Sequence, residues 1–126
     1  MDGVLFDGKG RPVAYLEHEG EPMIYLWSGH VAAYFSGDHI VGWNGRHLGW
    51  YIDGVAYDLR GQRVGSIAEK CPRALQVLRV KAPKRARPPK HAKSPDHKRP
   101  DFRSGYSEQD FEDFLKDGIA STDASE

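Results

Sequence analysis

The feature of this 126-residue sequence that most constrains its fold is a motif that occurs four times before residue 68. The copies align without gaps around a glycine, and these glycines are separated by 19, 16 and 16 residues. The copies are FDGKGRPVAYL (6–16), YLWSGHVAAYF (25–35), VGWNGRHLGWY (41–51) and YDLRGQRVGSI (57–67), with the glycines Gly10, Gly29, Gly45 and Gly61. Each copy has room for two short strands and a tight turn, so each predicts a β-hairpin whose glycine adopts positive φ.

The position four residues after each glycine holds only very small residues, which indicates how the hairpins pack. This column contains Ala14, Ala33, Gly49 and Gly65. If four hairpins meet around a common axis, the innermost position has no room for more than a methyl group. Asp7 and Asp58 lie three residues before their glycines, where an Asp side chain caps the turn. Ser66 replaces the large aromatic residue of the other copies, which indicates a seam or an edge.

These features predict an all-β fold of four pseudo-symmetric antiparallel β-hairpin repeats in a radial arrangement, within a domain spanning residues 1–80. The hairpins are expected at about residues 4–18, 23–37, 40–54 and 55–70. Residues 68–80 are compatible with a short helix beginning at Pro72 or with an extended closing strand. A domain this small is marginally stable unless it is well packed or forms oligomers, and oligomerisation remains open.

The formal net charge of zero hides three segments of different charge. Residues 1–80 carry a net charge of −1, residues 81–104 carry +7 and residues 105–126 carry −6. The middle segment holds five of the eight prolines and no aliphatic residue larger than alanine. Because it cannot bury enough apolar area to offset the cost of ordering its backbone, we expect a disordered, basic, Pro-rich linker.

The acidic segment 105–126 contains one predicted amphipathic helix, at about residues 108–117. Ser107 is the expected N-cap, and Gly118 is expected to end the helix. Its apolar stripe consists of Phe111, Phe114, Leu115 and Ile119. Such a helix behind a flexible tether is expected to dock, either onto its own domain or into a groove of a protein partner.

The repeated unit of aromatic residue, glycine, apolar residue, small residue and second aromatic residue resembles the 4-fold β-flower domain, a family of short bacterial proteins. The runs YLWSGHVAAYF, GRHLGWYIDG and YDLRGQRVG carry the resemblance, over about residues 3–72, and SEQDFEDFL (107–115) extends it into the tail. The resemblance implies a radial all-β fold of four hairpin petals. It implies no catalytic residue, substrate or cofactor. The runs YDLRGQR and FDGKGRP also resemble the YD repeats of large toxin shells, but those proteins use many copies in very long chains.

No arrangement of residues favours catalysis, so the protein is predicted not to be an enzyme and to need no cofactor or metal. The four histidines of the domain lack a cysteine partner and are expected to be exposed in turns or strands. They are His18, His30, His39 and His47. Cys71 has no recognisable neighbouring base and is expected to be an inert thiol. With one cysteine, no signal peptide pattern and no apolar run long enough for a membrane span, a cytoplasmic protein is expected.

Three binding hypotheses follow, and the first is a non-enzymatic scaffold or interaction module. In it, the C-terminal helix docks a protein partner through Phe111, Phe114, Leu115 and Ile119. The alternative is sequence-tolerant binding of nucleic acid or an anionic surface by the basic linker. Its candidate residues are Lys81, Lys84, Arg85, Arg87, Lys90 and Lys93. In the third hypothesis, five aromatic residues bind a small apolar ligand, or form an exposed surface for another partner. The alternative is that they form the core of the domain. These residues are Trp27, Trp43, Trp50, Tyr15 and Tyr34.

Overall fold

The computed structural model describes residues 3–18 and 20–120, and its main feature is a closed barrel of eight antiparallel strands. Each strand pairs with its neighbours in sequence, and β8 closes the barrel against β1. The strands are β1 (Val4–Phe6), β2 (Pro12–Glu17), β3 (Met23–Leu26), β4 (Val31–Ser36), β5 (His39–Gly42), β6 (His47–Ile52), β7 (Val55–Tyr57) and β8 (Arg63–Ser66). The prediction of an all-β fold is therefore confirmed.

The four hairpin turns share one hydrogen-bonding pattern. In the first, the Gly10 N–H donates to the Asp7 carbonyl at 3.1 Å and the Asp7 N–H donates to the Arg11 carbonyl at 3.0 Å. The four anchor glycines have φ between 84° and 93°, a conformation that L side chains rarely adopt. Asp7 and Asp58 cap their turns as predicted, because each Oδ1 accepts two backbone N–H groups.

A helix from the C-terminal part of the chain, α1 (Phe111–Lys116), packs its apolar face against the core of the barrel and leaves Asp113 and Lys116 exposed. Its side chains Phe111, Phe114 and Leu115 are at most 3% exposed and pack against the inward-facing residues of the strands. Gly65 lies against the ring of Phe111, so its small size makes room for a side chain of the helix. At Gly49 an added Cβ would first meet the Tyr57 carbonyl of the neighbouring strand, and the Phe114 ring only at 3.2 Å, so there the small residue permits the close approach of two strands.

The helix begins later than the sequence predicts. Asp110 is the N-cap, and its carboxylate accepts a hydrogen bond from the Asp113 N–H at 3.3 Å, so the expectation that Ser107 caps the helix is wrong. Ser107 caps the preceding turn instead. Gly118 follows the helix, as predicted, and its N–H donates to the Leu115 carbonyl at 2.9 Å.

Residues 72–105, here termed the belt, contact the four hairpins in succession without forming strands. At intervals of nine residues a belt N–H donates to the carbonyl of an anchor glycine at 2.8–2.9 Å. The donors are Gln76, Arg85, Ser94 and Arg103, and the acceptors are Gly10, Gly29, Gly45 and Gly61. The prediction of a disordered linker is not confirmed. It considered only the apolar area that side chains can bury, whereas the belt is held largely by hydrogen bonds of its backbone.

Residues 68–80, for which the sequence left two structures open, contain a 3₁₀ turn at Ala68–Lys70 followed by extended chain. The strands β1 and β8, which close the barrel beside this segment, pair through one residue pair of the described chain, Phe6 and Ser66. Tyr106, directly after the belt, completes this seam. It forms a parallel bridge with Arg63. Its ring lies so close to Gly8 that an added Cβ would be 2.7 Å away. The seam that the sequence indicates at Ser66 agrees with this arrangement.

Candidate functional site

Two equivalent grooves between neighbouring hairpins each receive a lysine of the belt. In the first groove the rings of Tyr15 and Trp27 meet edge to face, with centroids 5.9 Å apart, and Lys81 Nζ lies 4.0 Å from the Tyr15 centroid. The equivalent residues of the second groove are Tyr34, Trp43 and Lys90, with Nζ 4.1 Å from the Tyr34 centroid. A cation this close to a ring face is attracted by the ring quadrupole.

Hydrogen bonds from the two tryptophans fasten the belt over these grooves. Trp27 Nε1 donates to the Arg79 carbonyl at 3.1 Å, and Trp43 Nε1 donates to the Pro88 carbonyl at 2.6 Å. Between the third and fourth hairpins, the ring of Phe102 lies edge to face against Trp50, which is fully buried. The five aromatic residues predicted as a binding surface therefore lie largely buried, with their outer side covered by the belt.

Most of the six basic residues predicted to bind an anion have partners within the protein. Ion pairs join Lys84 to Glu17, Lys90 to Glu21 and Lys93 to Asp96. Arg87 donates to the sulfur of Met23, and Lys81 lies on Tyr15, as described above. The sixth predicted residue, Arg85, makes no ion pair with a residue that the structure describes. The same is true of four further belt cations among the described residues: Arg73, Arg79, Lys98 and Arg103.

The side chains predicted to dock a partner lie inside the protein's own barrel. Phe111, Phe114 and Leu115 are buried, and Ile119 packs half-buried against the same core. Of the two docking modes that the sequence left open, the structure has the intramolecular one. In this conformation these side chains offer no surface to a partner.

The interior that an apolar ligand would need is filled by side chains of the strands and of helix α1. Outside the barrel, two open clefts of about 610 and 730 Å³ flank the Tyr106–Gln109 segment. Charged side chains line both clefts, among them Arg46 and Asp58 in one and Lys9 and Arg11 in the other. This lining does not favour the predicted apolar ligand.

A cluster that the sequence reasoning missed joins the third hairpin to the belt. The rings of His39 and His47 stack with centroids 4.6 Å apart, and His39 Nδ1 lies 3.3 Å from a carboxylate oxygen of Asp96. His47 is 3% exposed, so the expectation of an exposed histidine is wrong there. Burial lowers the pKa of His47 below the ordinary histidine value, which favours the neutral ring. No short-range spacing in the sequence connects these three residues.

These features define a class of protein: a small antiparallel β-barrel whose core is completed by a helix near the C-terminus and which is encircled by a basic extended segment. The family model for the 4-fold beta flower protein matches residues 4–115, and the chain belongs to this family. The match includes the belt and ends at Leu115, the last core residue of helix α1. No curated protein and no solved structure matches the chain. Within residues 3–18 and 20–120, no helix has the length and apolar character to cross a membrane.

Proposed function

We propose that this protein is a non-enzymatic binding module that holds nucleic acid by its phosphates, without sequence preference, on the basic belt. The observation that carries the proposal is the stretch 79–90, which contains six basic residues and no acidic one. All six are exposed. The backbone of this stretch is held to the second hairpin, since the Ala82 and Arg85 N–H groups donate to the Trp27 and Gly29 carbonyls. A fixed backbone presents the cations without a large ordering cost on binding.

The aromatic contacts of the belt support phosphate binding rather than base stacking. Lys81 and Lys90 cover the ring faces on which bases would stack in proteins that bind single strands. A binding surface of cations without accessible rings recognises charge and is tolerant of sequence.

The number of available charges sets the expected salt dependence. Glu17 and Glu21 pair with two of the six cations, which leaves about four for phosphates. Four neutralised phosphates correspond to a slope of log affinity against log salt of about −3 to −4. Affinity is therefore expected to fall roughly 60- to 250-fold between about 50 and 200 mM salt.

Partner docking by the helix is the weaker hypothesis on this geometry. Phe111, Phe114 and Leu115 would have to leave the barrel core before they could contact a partner. Their departure would expose both the helix stripe and the apolar lining of the barrel, and burying such side chains stabilises a protein by about 1.5–3 kcal/mol each.

The test measures anisotropy of a labelled mixed-sequence oligonucleotide against salt. The double variant Arg79→Glu, Arg85→Glu should weaken binding at least about tenfold. The matched control Lys98→Glu, Arg103→Glu has the same change in net charge elsewhere on the belt and should weaken binding much less. Equal losses in the two variants, or a flat salt response, would contradict the proposal. So would binding to phosphatidylserine vesicles with no binding to the oligonucleotide.

A further inference from the structure

We propose that His39, His47 and Asp96 bind a divalent transition metal ion of the zinc class, and that this ion fastens the belt to the third hairpin. His39 begins β5 and His47 begins β6, so both belong to the same hairpin, while Asp96 belongs to the belt. One ligand atom from each of the three residues lies within 4.8 Å of the others. Imidazole nitrogens with a carboxylate oxygen form a ligand set that suits Zn²⁺ and its first-row neighbours.

The hydrogen bonds of His47 orient its ring as a metal ligand. Its Nε2 lies 2.9 Å from the Gly49 carbonyl, which can only accept, so Nε2 carries the proton and Nδ1 presents its lone pair. A ligating histidine commonly donates its other N–H to a backbone carbonyl or a carboxylate. In the structure the Nδ1 lone pair accepts from the His97 N–H at 2.9 Å. Binding would require the His97 N–H to give up this lone pair to the metal ion.

His39 lies between two carboxylates. Its Nε2 lies 3.6 Å from Asp38, which is beyond hydrogen-bond distance, and its Nδ1 lies 3.3 Å from Asp96. Tetrahedral zinc with bonds of about 2.0–2.2 Å separates neighbouring ligand atoms by about 3.3–3.5 Å. The His39–Asp96 pair already has this separation. Binding would also rotate the His39 ring out of its stack with His47 and free His47 Nδ1 from the His97 N–H. The His39 side chain is partly exposed, which leaves space for that rotation.

Lys93 is the competing cation at this site. It forms an ion pair with Asp96, and that ion pair lowers the pKa of the Asp96 carboxyl, together with a hydrogen bond to His39. A metal ion would have to displace the Lys93 ammonium from the carboxylate. Removing this ammonium should therefore strengthen metal binding, which is an effect that a purely structural role of the cluster would not produce.

The experiment titrates the chelator-treated full chain with Zn²⁺ by calorimetry and with Co²⁺ by visible absorption, and uses Mg²⁺ as the hard-cation control. One Zn²⁺ per chain should bind, with tetrahedral Co²⁺ bands and no Mg²⁺ binding. His39→Ala and Asp96→Asn should each weaken Zn²⁺ at least about tenfold. Lys93→Gln should tighten it, and His30→Ala, which changes a histidine of another hairpin, should leave it unchanged.

A second readout tests the fastening of the belt. Zn²⁺ should slow trypsin cleavage within the belt of the unmodified chain and should have no such effect on Asp96→Asn. The proposal is overturned if Zn²⁺ does not bind, if Asp96→Asn and His39→Ala bind as well as the unmodified chain, or if His30→Ala loses binding to the same extent.

Discussion

The packing of the Phe111 ring on Gly65 gives the sharpest test of how the helix packs against the core of the barrel. A Cβ added to Gly65 would lie 2.7 Å from Phe111 Cζ and closer still to two other ring carbons. Gly65 is not a positive-φ glycine, so alanine fits its backbone and only the ring contact opposes the substitution. Phe111 is 1% exposed, and its ring packs among the core side chains of the barrel.

The magnitudes follow from this contact. Gly65→Ala should lower the free energy of unfolding by about 1–3 kcal/mol, as expected for one methyl group too many in a packed core. Phe111→Ala should lower it by about 3–5 kcal/mol through the cavity it leaves. In the double variant the new methyl group points into that cavity, so Gly65→Ala should be neutral or stabilising there. The coupling between the two sites should reach about 1–3 kcal/mol.

Urea denaturation followed by tryptophan fluorescence measures all four free energies. Gly105→Ala is the matched control, because an added Cβ there meets nothing within 4 Å and its φ is not positive. It should change stability by less than about 0.5 kcal/mol. If the effects of Gly65→Ala and Phe111→Ala simply add, the ring does not lie over Gly65 and the reasoning about the small-residue column is refuted.

Two further predictions concern the belt and the histidine cluster. Gly29→Ala should strain the turn, where φ is 93°, and its Cβ would lie 3.0 Å from the Pro83 carbonyl carbon of the belt. Trypsin should therefore cleave the belt faster in this variant. The control Gly20→Ala has φ 85° but nothing within 4 Å of the added Cβ, and it should not accelerate cleavage. Because burial lowers the pKa of His47, the unfolded chain binds more protons than the folded chain below about pH 6.5. The free energy of unfolding should therefore fall as pH drops from about 6.5 towards the pKa of His47 in the folded chain. Urea titrations at several pH values should show a smaller fall for His47→Gln. An equal dependence of the free energy of unfolding on pH in the two proteins would contradict this prediction.

The features that the sequence predicts correctly are local ones. The hairpin turns depend on a glycine at positive φ and on Asp7 or Asp58 a few residues away, so each copy carries its own evidence. The four copies reinforce one another, because the same chemistry recurs at a fixed interval. The apolar stripe of the C-terminal helix is local in the same sense, and its existence is confirmed with a later start.

The ordered belt was not predicted from the sequence, because its contacts are made largely by backbone atoms. The residues whose carbonyls approach the anchor glycines are Ala74, Pro83, Ala92 and Asp101, which share a spacing of nine residues but no side-chain chemistry. Only Lys81, Lys90 and Arg99 show this period in residue type, and each lies over an aromatic ring. That spacing was the one sequence signal available, and composition alone argued for disorder.

β-Hairpins with small residues on the inside could be predicted from the residues alone, because turn conformation and strand periodicity depend on near neighbours. The packing of Phe111 and Phe114 against the core could not, since the surface that they cover is assembled from several strands of the closed barrel. The same is true of the cluster of His39, His47 and Asp96. Asp96 lies 49 residues beyond His47 in sequence and reaches it only because the belt follows the outside of the closed barrel.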